Sequence, residues 1–168
     1  MHLAMTEILW ARWTEAIHEE WMRSVQERYP DITRQQVERI RDLMNEHAPD
    51  CVVSNYEDLI PGLSLPDADD RHVLAAAIRA GANVIVTFNL EDFPPEALAK
   101  YGIEALHPDR FIDRLLDLDS EAVRAAVKLD RQSLTKPAKT VDEYLTDLQR
   151  QGLPQTVEVL RRFYLDKI

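Results

Sequence analysis

The segment from Asp67 to Phe93 constrains the fold more than any other part of the chain. From Asp70 to about Ala80 the residues are almost all apolar and favour helix, and Gly81 stands where a left-handed helix cap belongs. After the short turn Gly81-Ala82-Asn83, the run from Val84 to Phe88 is β-branched and continuous, the pattern of a parallel strand covered on both faces. A helix of about eleven residues rises roughly 16 Å and a strand of about six residues spans roughly 20 Å, so the strand returns along the helix. The far ends of the unit, Asp70 on one side and Asn89 and Asp92 on the other, are therefore expected close together. Ligands of open α/β sheets collect at the carboxyl ends of strands, which is where Asn89 and Asp92 fall.

Asp at a helix start has a plain role in accepting backbone N–H bonds. One cap needs one carboxylate, however, and Asp67, Asp69 and Asp70 stand almost side by side. Clustered carboxylates repel unless a cation joins them, so the segment reads as a candidate site for a divalent ion. Hard oxygen donors suit Mg²⁺ or Mn²⁺. Asn89 is a common residue for the turn after a strand, but it can also accept from a bound water or donate to a phosphate. Asp92 is either a cap or surface ion-pair partner, or the residue that brings further charge to the site.

The spacing Asp70-x-x-Val73 before the Ala-rich helix, followed by Thr87-x-Asn89-x-x-Asp92-Phe93 after the strand, resembles the carboxy-terminal half of a PIN domain, the fold of VapC-type toxin ribonucleases. Thr14-x-x-Ile17-x-x-Glu20 is similar to the family's segment for a second acid on an early helix, with Glu19 as the rival if the register slips by one. The resemblance spans roughly residues 10 to 112. Beyond it the chain is similar to the helical extension of a larger VapC subgroup. The resemblance implies a metal-dependent endoribonuclease acting on single-stranded or looped RNA, with Asp70, Glu20 and Asp92 as ligands of Mg²⁺ or Mn²⁺ and Asn89 positioning substrate or water. It also implies a small antitoxin partner and self-association.

One departure stands out. PIN domains open with a hydrophobic strand that ends in a metal-binding Asp, and this chain begins Met1-His2-Leu3-Ala4-Met5-Thr6-Glu7-Ile8, which reads as the tail of the family's first helix. The fold expected is α/β: a short parallel sheet flanked by helices, PIN-like with the first strand missing, plus a helical appendage. The domains expected are residues 1–112 and 113–168. The competing reading is a catalytically dead remnant that serves as a binding module or is a non-functional fragment.

The rest of the sequence narrows the field. No apolar run approaches the ~20 residues that cross a bilayer. The start lacks a signal-peptide pattern, and the single Cys51 has no partner for an internal disulfide, which together point to the cytoplasm. The formal charge of -10 opposes broad, charge-driven nucleic-acid binding, though a bound cation would reverse the sign of an acidic site. A local basic excess of Arg124, Lys128, Arg131, Lys136 and Lys139 reads as a solvated helix face. Only four glycines occur, and Gly81, Gly102 and Gly152 read as helix terminators, so no dinucleotide or phosphate loop can be built. Cys51 beside Val52 and Val53 reads as a small core residue. The five histidines show no zinc spacing, and His72 is expected packed beside the site rather than as a ligand.

Helices are expected from Thr14 to about Arg28, with Ile17, Trp21 and Val25 inward, and from Thr33, whose capping box with Gln36 opens a helix burying Val37, Ile40 and Met44. Cys51 to Ser54 reads as a short strand, Pro94-Pro95 as the start of a short helix, and Ile103 to Leu106 as an edge strand. From His107 onward the pattern is helical, with caps at Asp119 or Ser120 and at Thr140, a break at Gly152-Leu153-Pro154, and a linker at Lys136 to Lys139.

Overall fold

The structure is a computed structural model, and it describes residues 3, 8–48, 50–135, 137–165 and 168. The expected helix tail before Ile8 and the Lys136 end of the expected linker lie largely outside these residues. Among the described residues seven α-helices and two strands follow one another: α1 (Glu15–Arg28), α2 (Arg34–His47), α3 (Arg71–Ala80), β1 (Val84–Val86), α4 (Pro95–Leu98), β2 (Glu104–Leu106), α5 (Pro108–Ser133), α6 (Val141–Arg150) and α7 (Pro154–Tyr164). The two strands form a parallel pair, and the class is mixed α/β with a helical C-terminal part, consistent with a PIN-like fold. The chain divides into two compact units.

The first unit takes in the described residues of 10–85 and 89–105. Its core gathers Tyr56, Leu63, Leu74, the small run Ala75 to Ala77, Ile85, Phe93, Leu98 and Ile103. Small side chains on α3 let the backbone of that helix approach its neighbours closely, and burial of the surrounding large residues contributes roughly 1.5–3 kcal/mol each. Gly81 ends α3 in the left-handed region at φ 64°, as its position in the sequence requires. Thr14 caps α1 through Ile17 N–H, and Thr33 with Gln36 forms the expected capping box on α2.

Burial on these two helices is shifted from expectation. His18 and Met22 are the fully buried positions of α1, with Ile17, Trp21 and Val25 only partly covered. The reason is polar. Trp21 donates from Nε1 to Nδ1 of His18 (2.9 Å), so His18 carries its proton on Nε2, which lies 3.0 Å from Oδ1 of Asn45. The same oxygen accepts from Nε1 of Trp13 at 2.8 Å. A hydrogen-bonded histidine is thus drawn inward, and the apolar stripe turns by one residue. Ile40 of α2 is 46% exposed rather than buried. The strand expected at Cys51 to Ser54 is reduced to one parallel bridge between Trp13 and Val52, while Cys51 is buried as expected of a core residue.

The strand expected from Val84 to Phe88 is regular only through Val86. Within the strand pair, Glu104 N–H donates to Asn83 C=O and Thr87 N–H to Leu106 C=O. Only Ile85 is buried; Val86 and Phe88 are exposed. The continuous apolar run therefore does not mark a strand covered on both faces, because the described sheet has two strands and Val86 and Phe88 lack cover.

The second unit takes in residues 86–88, the described residues of 106–168, and Leu3, Ile8 and Leu9. Leu115, Leu116, Val123, Val127, Tyr144, Leu145, Val157 and Leu160 form its core. In α5 the backbone leaves helical geometry at Asp119 (φ -151°, ψ 84°), whose carboxylate accepts from Glu121 N–H and Ala122 N–H and so caps the second half of the helix. Thr140 and Glu143 form the expected capping box on α6. The N-terminus of α7 is capped from a distance: Asp109, 4% exposed on α5, accepts from Gln155 N–H at 2.9 Å and Thr156 N–H at 2.8 Å. Among the described residues no helix is long and apolar enough to cross a membrane.

Candidate metal centre

Asp70 occupies the N-cap position of α3, yet its side chain makes no capping bond. That removes the ordinary reason for an Asp at this place. Its carboxyl instead meets two others. One ligand oxygen from each of Asp67, Asp70 and Asp92 lies within 4.8 Å of the rest, a grouping drawn from the loop before α3 and the turn after β1. Asp67 is held by an Asx turn, in which its Oδ1 accepts from Asp69 N–H at 2.8 Å. Asp92 accepts from Nδ2 of Asn89, which fixes both side chains of the turn.

Electrostatics of the cluster follow from that crowding. Burial pushes the Asp70 carboxyl above its ordinary value, and the charge of Asp92, a side-chain hydrogen bond with Asp92, and the charges of Asp67 and Glu20 push it the same way.

Glu20 stands outside the three-carboxylate group. It projects from α1, 46% exposed, with Oε1 2.9 Å from Nε2 of His72 in the first turn of α3, and its charge is felt at Asp70. The rival Glu19 points elsewhere: it pairs with Arg34 of α2 at 2.6 Å, which holds its carboxyl below the usual range. Of the residues singled out from sequence, Asp70, Asp92 and Asn89 come together, and Glu20 lies on the Asp70 side through His72. Asp67 belongs to the cluster but was not among the expected ligands. Its signal was the repeated Asp before one helix start, more carboxylates than a cap can use.

Comparison with known proteins adds an independent line. The family model for the VapC50 C-terminal domain matches residues 108–162. The chain is 43% identical over 109 residues to "Putative ribonuclease VapC50" of Mycobacterium tuberculosis (strain ATCC 25618 / H37Rv), a match covering 65% of this chain and 63% of the relative. The chain thus spans less than two thirds of the length of the curated relative it matches. No solved structure matches. The matches show what this chain is similar to: its C-terminal part to the VapC50 C-terminal domain, and 65% of its length to a protein named as a putative ribonuclease.

Proposed function

We propose that the chain is a divalent-metal-dependent endoribonuclease of the VapC toxin type, acting on single-stranded or looped RNA. The observation that carries this reading is the convergence of Asp67, Asp70 and Asp92 within 4.8 Å, with Asp70 leaving its helix cap unmade. The donor set fits Mg²⁺ or Mn²⁺. Oxygens around an octahedral Mg²⁺ are about 3–4 Å apart, so a span up to 4.8 Å closes by small side-chain rotations or through a water. Asp70 and Asp92 would hold the ion, with Asp67 and Glu20 as further carboxylates. A divalent cation there supplies Lewis acidity toward a phosphodiester and lowers the pKa of water.

The chain's own residues do the rest. Asn89 braces Asp92 through its amide N–H and so positions that carboxylate at the site. Asp70 is the group best placed to hold a proton at the cluster, because its neighbours raise its affinity for one. The similar protein is named a putative ribonuclease, which supports the reading, and by that reading a small antitoxin blocks the site and the protein works in the cytoplasm. Self-association is proposed on the exposed apolar side chains of Val86 in β1 and of Phe88 just beyond it, beside a sheet of two described strands. The division into a PIN-like domain, residues 1–112, and a helical extension, residues 113–168, is proposed on the separate buried cluster that begins at Leu115.

The test is cleavage of a mixed RNA substrate with Mn²⁺, with and without EDTA, by the wild type and by Asp70→Asn. Metal-dependent, Asp70-dependent cleavage supports the reading. A protein that binds RNA without cutting it, whatever the metal, favours a binding module instead.

A further inference from the structure

Both ring nitrogens of His72 are buried, and neither makes a directed hydrogen bond. Burying an imidazole in this way costs desolvation that only the Glu20 contact offsets, and an apolar side chain would fill the same space without that cost. Oε1 of Glu20 lies 2.9 Å from Nε2, an ion-pair contact without hydrogen-bond geometry. Glu20 has no helix-cap role and stands at the solvent boundary, so without His72 its long side chain would sample many rotamers. Arg34, the cation nearby on α2, is already engaged by Glu19 and Glu38. His72 sits two residues beyond Asp70, so one helix turn carries both an acid of the cluster and the group facing Glu20.

We propose that His72 is a positioning residue, which holds the carboxylate of Glu20 toward Asp70 and so completes the cation site. The proposal rests on reading the cluster as a cation centre. His72 itself touches neither metal nor substrate. Its buried nitrogens are the stability given up for that placement, an arrangement common where function and packing compete.

The experiment measures Mn²⁺ affinity by electron paramagnetic resonance, alongside the unfolding midpoint of the metal-free protein. His72→Leu is expected to weaken Mn²⁺ binding about tenfold, the size usual for groups that orient a ligand, without lowering the metal-free midpoint. His72→Gln, which returns an N–H near Nε2, recovers most of the affinity. In a Glu20→Ala background His72→Leu changes nothing further. Wild-type affinity in His72→Leu, or an effect that persists without Glu20, overturns the proposal. Should His72→Leu fail to fold, His72→Gln and His72→Asn carry the test. Gln reaches the Nε2 position and Asn only the Nδ1 position, so equal affinity in the two overturns it as well. Asp70→Asn separates the levels: if Mn²⁺ binding ignores Asp70 the cation site itself fails, whereas an Asp70-dependent site indifferent to His72 overturns this proposal alone.

Discussion

Asp70 opens α3 without capping it and sets its carboxyl against that of Asp92, the acid that follows β1. The contact joins the two ends of the helix and strand unit and concentrates charge that water alone would keep apart. In the metal-free protein its cost depends on pH. The folded-state pKa of Asp70 is raised, so the protonated form favours folding. The associated stability is fully present below the unfolded value near 3.8 and is lost as pH rises through the raised folded value. Metal-free Asp70→Asn should therefore unfold at a higher temperature than the wild type at pH 7, with the difference shrinking toward pH 4. Thermal melts across that range in EDTA check it.

A cation reverses that balance. At Mn²⁺ concentrations about a hundredfold above the dissociation constant, binding to the folded state alone adds about 2.7 kcal/mol. The wild type should show a rise in melting temperature that grows with the logarithm of Mn²⁺ concentration, and Asp92→Asn should lose most of it. Equal responses in the two proteins would exclude Asp92 as a ligand.

The network around Asn45 fixes α1 against α2 and so determines where Glu20 stands. Asn45→Ala removes one acceptor from two donors, Trp13 Nε1 and His18 Nε2. Leaving such donors unpaired costs about 1–3 kcal/mol. Urea denaturation should report that loss with an unchanged slope, while a loss near zero would mean that water replaces the amide.

In the helical unit, Asp109→Ala should cost about 2 kcal/mol, the upper end for lost caps, because its carboxylate is buried and serves two N–H groups of α7. Asp109→Asn keeps one acceptor oxygen and should cost less. Hydrogen exchange at Gln155 and Thr156 reads the effect at its source.

Local signals in the sequence carried most of the helices. Thr14, Thr33 and Thr140 cap where their spacing to Ile17, Gln36 and Glu143 places them, and Gly81 ends α3 in the conformation glycine permits. These are short-range interactions, complete within one turn. The inward face of α1 was not legible, since His18 is buried through Asn45 and Trp21, and the Asn45 bond forms between two helices. The same holds for Asp109, whose partners lie more than forty residues away. β1 was misread for a related reason: a run of β-branched residues states a strand, but cover on its faces depends on what else packs there. At the cluster, the sequence placed Asp70, Asn89 and Asp92 at two ends of one unit, whereas choosing Asp67 over Asp69 depended on an Asx turn that only coordinates display.

By the function proposed for the chain, the carboxylates of Asp67, Asp70 and Asp92 form a divalent cation site. Its most direct measurement is calorimetric titration of Mn²⁺ into the metal-free wild type and into Asp70→Asn at pH 7. Saturable binding by the wild type is expected, with affinity reduced at least tenfold in Asp70→Asn. Identical isotherms for the two proteins, or no binding by the wild type at millimolar Mn²⁺, would contradict it.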